Sequence, residues 1–196
     1  MIHVAGLILA AGAGTRYGKP KANALLPDGR AFLAACAQTL HTAGIDPIAA
    51  TVRREPPALP PLNVLLVELP DPDVDMFGSI QFGLLALTQR TGWDRVIILP
   101  VDHPLVTAAT IRALAATPKP AAIATWNGRH GHPICVSRNI AEDIALRRHT
   151  GPTLREVLKD AEACDVPVDD PGIRSNCNTP KALREAWSRF AARGPK

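Results

Sequence analysis

The chain has no apolar stretch approaching the roughly 20 residues that a membrane-spanning helix requires, so its 196 residues are expected to stay out of the bilayer. The first apolar run is soon interrupted by glycines and Arg16, which predicts no secretory leader. Cysteine is sparse. Cys36, Cys135, Cys164 and Cys177 stand far apart with no C-x-x-C pair, which argues against a metal cluster or a disulfide framework. Free thiols in a reducing cytoplasm are expected. Aromatics are only 4% of the residues, and no run of lysines and arginines is interleaved with them, so nucleic-acid binding has no support. The formal charge of +4 favours anionic partners only weakly. There is no internal repeat and no linker, and a single domain over 1–196 is expected, as a monomer or a homodimer.

What the chain does have is alternation. Residues 4–10 form a continuous apolar run ending in glycines, the pattern of a strand buried on both faces of a parallel sheet. Similar runs recur at 48–52, 64–69, 96–99 and 121–125, with helix-like segments at 31–43, 79–90 and 107–116 between them. Further on, strands at 134–136 and 164–168 and helices at 140–147, 153–159 and 179–193 are expected, the last with Pro180 in its first turn. The proline-rich stretch 55–61 reads as a rigid surface loop. Strand–helix alternation with right-handed crossovers predicts a three-layer α/β/α fold around a mostly parallel, Rossmann-like sheet.

The first strand leads into Ala11-Gly12-Ala13-Gly14-Thr15-Arg16-Tyr17-Gly18-Lys19-Pro20-Lys21. A glycine turn at the end of a buried parallel strand can bring backbone amides close to phosphates. The dinucleotide fingerprint G-x-G-x-x-G fails, because Tyr17 stands where its third glycine belongs. Arg53 and Arg54 after the second strand suit an NADP phosphate but do not repair that loop. The Walker pattern fails at Ala13 and Pro20. A plain glycine turn and a phosphate loop flanked by the cations Arg16 and Lys21 both remain open. Likewise Asp102, in Pro100-Val101-Asp102-His103-Pro104-Leu105, is either a turn-forming aspartate or a carboxylate at the ligand crevice of an open sheet. One carboxylate beside substrate phosphates suffices for Mg²⁺.

The stretch Leu9-Ala10-Ala11-Gly12, with Arg16, Gly18 and Lys21, resembles the L-A-A-G-x-x-x-R-x-G-x-x-K signature of the MobA-like NTP transferases, the molybdenum-cofactor nucleotidyltransferases. The likeness continues in Asp102-His103-Pro104-Leu105-Val106, in Gly78-Ser79-Ile80-Gln81-Phe82-Gly83-Leu84 and in Gly128-Arg129-His130-Gly131-His132-Pro133. It implies a nucleotidyltransferase fold, with Leu9, Ala10, Ala11, Gly12, Gly14, Thr15, Arg16, Lys21 and Ser79 around the NTP. It implies Asp102 as metal ligand, catalytic roles for Arg16, Lys21 and Asp102, and an acceptor site near His103, Arg129 and His132. Ser79 also reads as a helix N-cap, and His132 equally as a hydrogen-bonded loop histidine. The family's closing D-I-D-T-P is here Asn176-Cys177-Asn178-Thr179-Pro180, so Asn178 is left as an uncharged second metal ligand. Mg²⁺ is the implied cofactor, CTP or GTP the donor, and molybdopterin or another phosphorylated metabolite the acceptor. A non-catalytic nucleotide-binding protein is the rival.

Two tempting patterns are set aside. Asp71, Asp73 and Asp75 open like a calcium loop, but Met76 and Phe82 stand where its glycine and glutamate belong. His130 and His132 have no cysteine or carboxylate at zinc-ligand spacing.

Overall fold

A computed structural model describes residues 2–12, 14, 17–18, 20–53, 59, 62–71, 73–148 and 153–192. In chain order these form β1 (Val4–Leu9), α1 (Phe32–Thr42), β2 (Ile48–Val52), β3 (Val64–Glu68), α2 (Met76–Thr88), β4 (Arg95–Pro100) and α3 (Ala108–Ala115). Then follow β5 (Ala121–Trp126), β6 (Arg129–Ser137), α4 (Arg138–Ala145), α5 (Leu154–Asp160), β7 (Cys164–Pro167) and α6 (Pro180–Ala191). The strands make one seven-stranded sheet in the order β3-β2-β1-β4-β6-β5-β7. β6 runs antiparallel to both its neighbours, and the other pairings are parallel.

Alternating side chains divide the core between the two faces of the sheet. Ile8, Ala50, Ile97, Leu99 and Cys135 pack with α1, α3 and α6 on one side. Leu7, Ala49, Val96, Ile98, Ile134 and Val136 pack with α2, α4 and α5 on the other. β1, β2 and β4 are almost wholly buried, which is why they read as unbroken apolar runs rather than alternating ones. The expected three-layer α/β/α architecture is the one observed. Gly83 lets α2 lie directly on β1: a methyl there would collide with the Leu7 side chain.

Two expectations need correcting. β6 is nine residues long, not the three of its apolar core. Asn127 (φ 49°) and Gly128 (φ 70°) turn β5 into β6 as a tight hairpin, and the polar Arg129–His132 end of the strand carries no hydrophobic signal. Helix α2 begins at Met76, with Asp75 as its N-cap: the Asp75 carboxylate accepts from the Gly78 amide at 2.7 Å. Ser79 is therefore not a cap. It is buried in the first turn, and its Oγ donates to Thr51 Oγ1 at 2.9 Å. The stretch 55–61 lies outside the described residues except for Leu59. Among the described residues no helix is long and apolar enough to cross a membrane.

Candidate active site

Because β1, β2 and β4 are parallel and β6 is reversed, one edge of the sheet collects the ends of β2, β1 and β4 and the start of β6. This is the edge where open α/β sheets bind ligands. The turn after β1 is stitched down by the Ala10 amide on the Thr51 carbonyl (2.9 Å) and the Tyr17 amide on the Gly14 carbonyl (2.8 Å). Gly14 takes φ 62°, a conformation that costs glycine little. The Lys21 amide returns to the Gly12 carbonyl at 3.4 Å, folding the loop back over the end of β1.

A cleft opens above this turn, lined by Leu9, Ala11, Gly12, Lys21, Asp102 and Ser79 among others. At its centre the Lys21 ammonium lies 3.0 Å from Asp102 Oδ2 and also donates to Asn178 Oδ1. Lys21 and Asp102 are both largely shielded, at 22% and 14% side-chain exposure, so this pair is not an ordinary surface contact. The backbone brings Asn178 there: the Cys177 amide donates to the Asp102 carbonyl (2.7 Å), and the Tyr17 hydroxyl donates to the Cys177 carbonyl (3.1 Å). Burial, followed by the nearby Cys177 and Asp102 charges, pushes the Tyr17 phenol up to about 12. Burial and Asp102 likewise raise the Cys177 thiol to about 12, so neither group ionises at neutral pH.

The donor set fits a hard divalent cation. Asp102 and Asn178 offer one carboxylate and one amide oxygen, the sparse protein share that Mg²⁺ takes when phosphates and water complete its shell. Among the described residues no three His, Cys, Asp or Glu side chains gather into a self-sufficient metal site.

On the β6 side of Asp102 the character changes. A wider groove runs between the start of β6, α5 and the 173–176 turn, and includes His103, His130, His132, Arg174 and Asn176. The His103 and His132 rings meet edge to face at 5.1 Å. Burial first, then His103, pushes His132 down to about 4 despite the opposing pull of Asp102. Burial also lowers His103, against the same pull. Both rings are therefore neutral near pH 7, and His132 Nδ1 has no hydrogen-bond partner among the described residues. They can exchange hydrogen bonds with a ligand but do not supply positive charge. His130 lies 2.7 Å from Asp165, and Arg174 donates to the His130 carbonyl at 2.9 Å. Asp170 braces this wall: it accepts from Thr107 and Thr110 beside α3 and from the Gly172 amide.

Of the residues singled out in the sequence, Leu9, Ala11, Gly12, Lys21, Ser79 and Asp102 line the cleft, with Asn178 joined to it through Lys21. Ala10 is buried and Gly14 holds the turn, both behind the lining. Thr15 and Arg16 lie outside the described residues. His103 and His132 meet at the groove, whereas Arg129 is exposed on the hairpin and its neighbour His130 is the one that faces the groove. Four contributors were missed. Arg53 lines the cleft and donates through Nε to the Ala11 carbonyl, and it had been weighed only as a dinucleotide-phosphate ligand. Asp75 belongs to the calcium-like pattern set aside above, although an Asp directly before an apolar helical run is a cap signal. Asp170 sits in Asp169-Asp170-Pro171-Gly172, with Arg174 two residues beyond, a turn signature that announces the wall but not its role.

A model of the MobA-like NTP transferase domain matches residues 6–167. No curated protein sequence matches the chain. Among solved structures, a nucleotidyl transferase from Methanothermobacter thermautotrophicus is similar at 20% identity and TM-score 0.79, covering 98% of this chain and 99% of that one. Rv0371c from Mycobacterium tuberculosis, solved in complex with manganese, is similar at 22% identity and TM-score 0.66, over 95% and 98%. The 2-C-methyl-D-erythritol 4-phosphate cytidylyltransferase of Thermus thermophilus is similar at 16% identity and TM-score 0.70, over 97% and 100%. At these identities the structures speak for the fold, while the family match spans most of the chain: it belongs to the MobA-like NTP transferases and is a nucleotidyltransferase.

Proposed function

We propose that the chain transfers a nucleoside monophosphate from CTP or GTP to a phosphorylated acceptor, molybdopterin or its molybdenum form, with release of pyrophosphate. The observation that carries this reading is the meeting of Lys21, Asp102 and Asn178 at the mouth of the glycine turn, from three distant parts of the chain. Members of this family typically use a divalent cation, bind an NTP and act on a phosphorylated acceptor. We assign Mg²⁺ to Asp102 and Asn178; when bound, it neutralises and orients the phosphates. We also read 1–196 as one domain, because Asn178 and α6, which lie beyond the family match, complete the cleft and the core.

The chemistry is a direct displacement. An oxygen of the acceptor's phosphate attacks the α-phosphorus of the NTP, the bond to the β-phosphate breaks, and pyrophosphate leaves. A phosphate oxygen is already anionic at neutral pH, so no protein base or nucleophile is required, in keeping with the un-ionised Tyr17 and Cys177. The loop amides and Lys21 stabilise the charge gathering on the leaving group, and Arg16 is assigned the same task from the resemblance. Leu9, Ala11, Gly12 and Ser79 line the nucleoside side, Ser79 with its hydroxyl turned to Thr51. His103 and His132 orient the acceptor as neutral hydrogen-bonding groups.

The groove is open and wide, at about 1480 Å³ against about 170 Å³ for the cleft, so it has room for a bulky acceptor. The test is pyrophosphate release from each of the four NTPs with Mg²⁺ and a panel of acceptors. Release with CTP or GTP and the pterin acceptor is expected. Release with a phosphosugar alone would replace the acceptor. A rise in melting temperature with NTP, but no pyrophosphate with any acceptor, would make the protein a binder rather than a catalyst.

A further inference from the structure

We propose that Lys21 is the resident counter-ion of Asp102 and Asn178, and that it makes divalent-cation binding conditional on the nucleotide. This rests on the assignment of those two side chains as the cation's ligands. The Lys21 ammonium is 3.0 Å from Asp102 Oδ2 and bonded to Asn178 Oδ1, so it occupies the amide oxygen and one of the two carboxylate oxygens that a divalent cation would draw on. A doubly charged ion at those side chains would stand within a few ångströms of the ammonium in a partly shielded cleft, and the two charges repel.

The charge count makes the competition uneven. One carboxylate, one neutral amide and one ammonium already sum to zero, so a cation arriving alone must displace Lys21 and leave the trio with an excess of positive charge. The other carboxylate at the cleft, Asp75, is committed to capping α2 through the Gly78 amide. A nucleoside triphosphate removes the obstacle, because it brings the negative charge that the displaced ammonium needs. Lys21 is suited to that move. Its backbone is fixed by the Gly12 carbonyl and by the short 3-10 turn Lys21–Asn23, while its flexible stem carries a point charge that can swing from Asp102 to the phosphates. The cation and the nucleotide thus bind with positive coupling, each tightening the other by the same factor.

An aspartate at position 178 would leave a net negative charge beside Lys21 and weaken the coupling. The asparagine of this chain makes the neutral trio possible.

The experiment is an EPR titration of the full chain with Mn²⁺ alone and then with α,β-methylene-CTP or α,β-methylene-GTP, neither of which can transfer its nucleotide. Wild type should bind Mn²⁺ weakly alone and at least ten-fold more tightly with the matching analogue. Lys21→Met and the hydrogen-bonding neutral Lys21→Gln should bind Mn²⁺ alone about ten-fold more tightly than wild type. Their coupling to the analogue should be smaller than that of wild type by a similar factor, the remainder coming from direct contact between phosphates and Mn²⁺. Two neutral variants protect the test against one that fails to fold, as judged by melting temperature. If both bind Mn²⁺ alone no better than wild type, while wild type still forms the ternary complex, the counter-ion role is overturned and the transferase reading stands. If wild type forms no Mn²⁺ complex with either analogue, the metal assignment falls and the inference with it.

Discussion

On the β1 side of Asp102 a small cleft holds the Lys21–Asp102 pair and Arg53 among apolar and backbone groups, and on the β6 side a wide groove sets the two buried, neutral histidines among apolar residues and the charged Arg155, Glu156, Lys159, Glu162 and Arg174. The first half hangs on parallel strands whose ends are fixed by the sheet, with the Lys21 amide tied back to the Gly12 carbonyl. The second half is assembled from a hairpin, a short helix and a turn near the C-terminus, held together by contacts such as Arg174 to His130 and Asp170 to Thr107. Under the proposed function the difference matches the tasks: a triphosphate is the same in every NTP and is met by groups fixed to the sheet, whereas an acceptor that varies is met by side chains that are easily exchanged.

The largest effect that could break this division lies at its centre. Asp102→Ala and Lys21→Ala should each lower turnover by about 10²–10³-fold, the usual loss when one group stabilising transition-state charge is removed. Steady-state pyrophosphate release with saturating Mg²⁺ is the measurement. Turnover close to wild type in either variant would detach the pair from the chemistry.

The same division explains what the sequence could disclose. The half proposed for the nucleotide lies in one continuous motif from Leu9 to Lys21, plus an aspartate after a strand whose central residues Val96, Ile97, Ile98 and Leu99 are apolar, and buried parallel strands announce themselves without any partner. The acceptor half depends on pairings that only the fold makes. The polar end of β6 has no hydrophobic period, so Arg129 and His130 could not be told apart by the way they face. The Asn127-Gly128 pair was an available hairpin signal, and reading it would have extended β6 to its full length. Ser79 failed as a cap because three aspartates before it competed for that place, and the geometry of Asp75 won. Nothing local could reveal that Lys21 would grip Asn178 across 157 residues.

The histidine half should also make the fold sensitive to acid. His132 is pushed down to about 4 from 6.5, so the unfolded chain takes up this proton near pH 6.5 and the folded chain only near pH 4. Its contribution to stability is therefore complete above pH 6.5 and is lost as the pH falls towards 4. At about 1.36 kcal/mol per unit the ceiling is about 3 kcal/mol, reduced by whatever water reaches the groove. His103 acts in the same direction. Urea midpoints between pH 4 and 7 should fall more steeply for wild type than for His132→Leu. Equal slopes would mean that the ring is solvated and can carry charge towards the acceptor.

A smaller effect should separate the two halves without touching a reacting group. At Gly131 an added methyl would run into the Ile173 carbonyl, where β6 crosses the 171–174 turn. Gly131→Ala should cost about 1–3 kcal/mol of stability, the usual penalty of overpacking. It should raise the acceptor's KM while leaving that of the NTP within about two-fold. A matching rise for the NTP, seen in the same assay, would mean that the halves move as one body.

The smallest change expected is at Ser79, where the two halves come closest to a shared structural role. Its Oγ donates to Thr51 Oγ1, which lies 3.5 Å from the Ile8 carbonyl, so the hydroxyl joins α2 to β2 as well as lining the cleft. Ser79→Ala removes one buried hydrogen bond while Thr51 keeps the other, a loss of about 1 kcal/mol in the denaturant midpoint. If the hydroxyl is spent on Thr51, the ranking of the four NTPs should survive the substitution, with KM for the best of them changed less than about three-fold. A variant of normal stability with a reordered NTP preference would instead turn Ser79 from a brace between helix and sheet into a reader of the base.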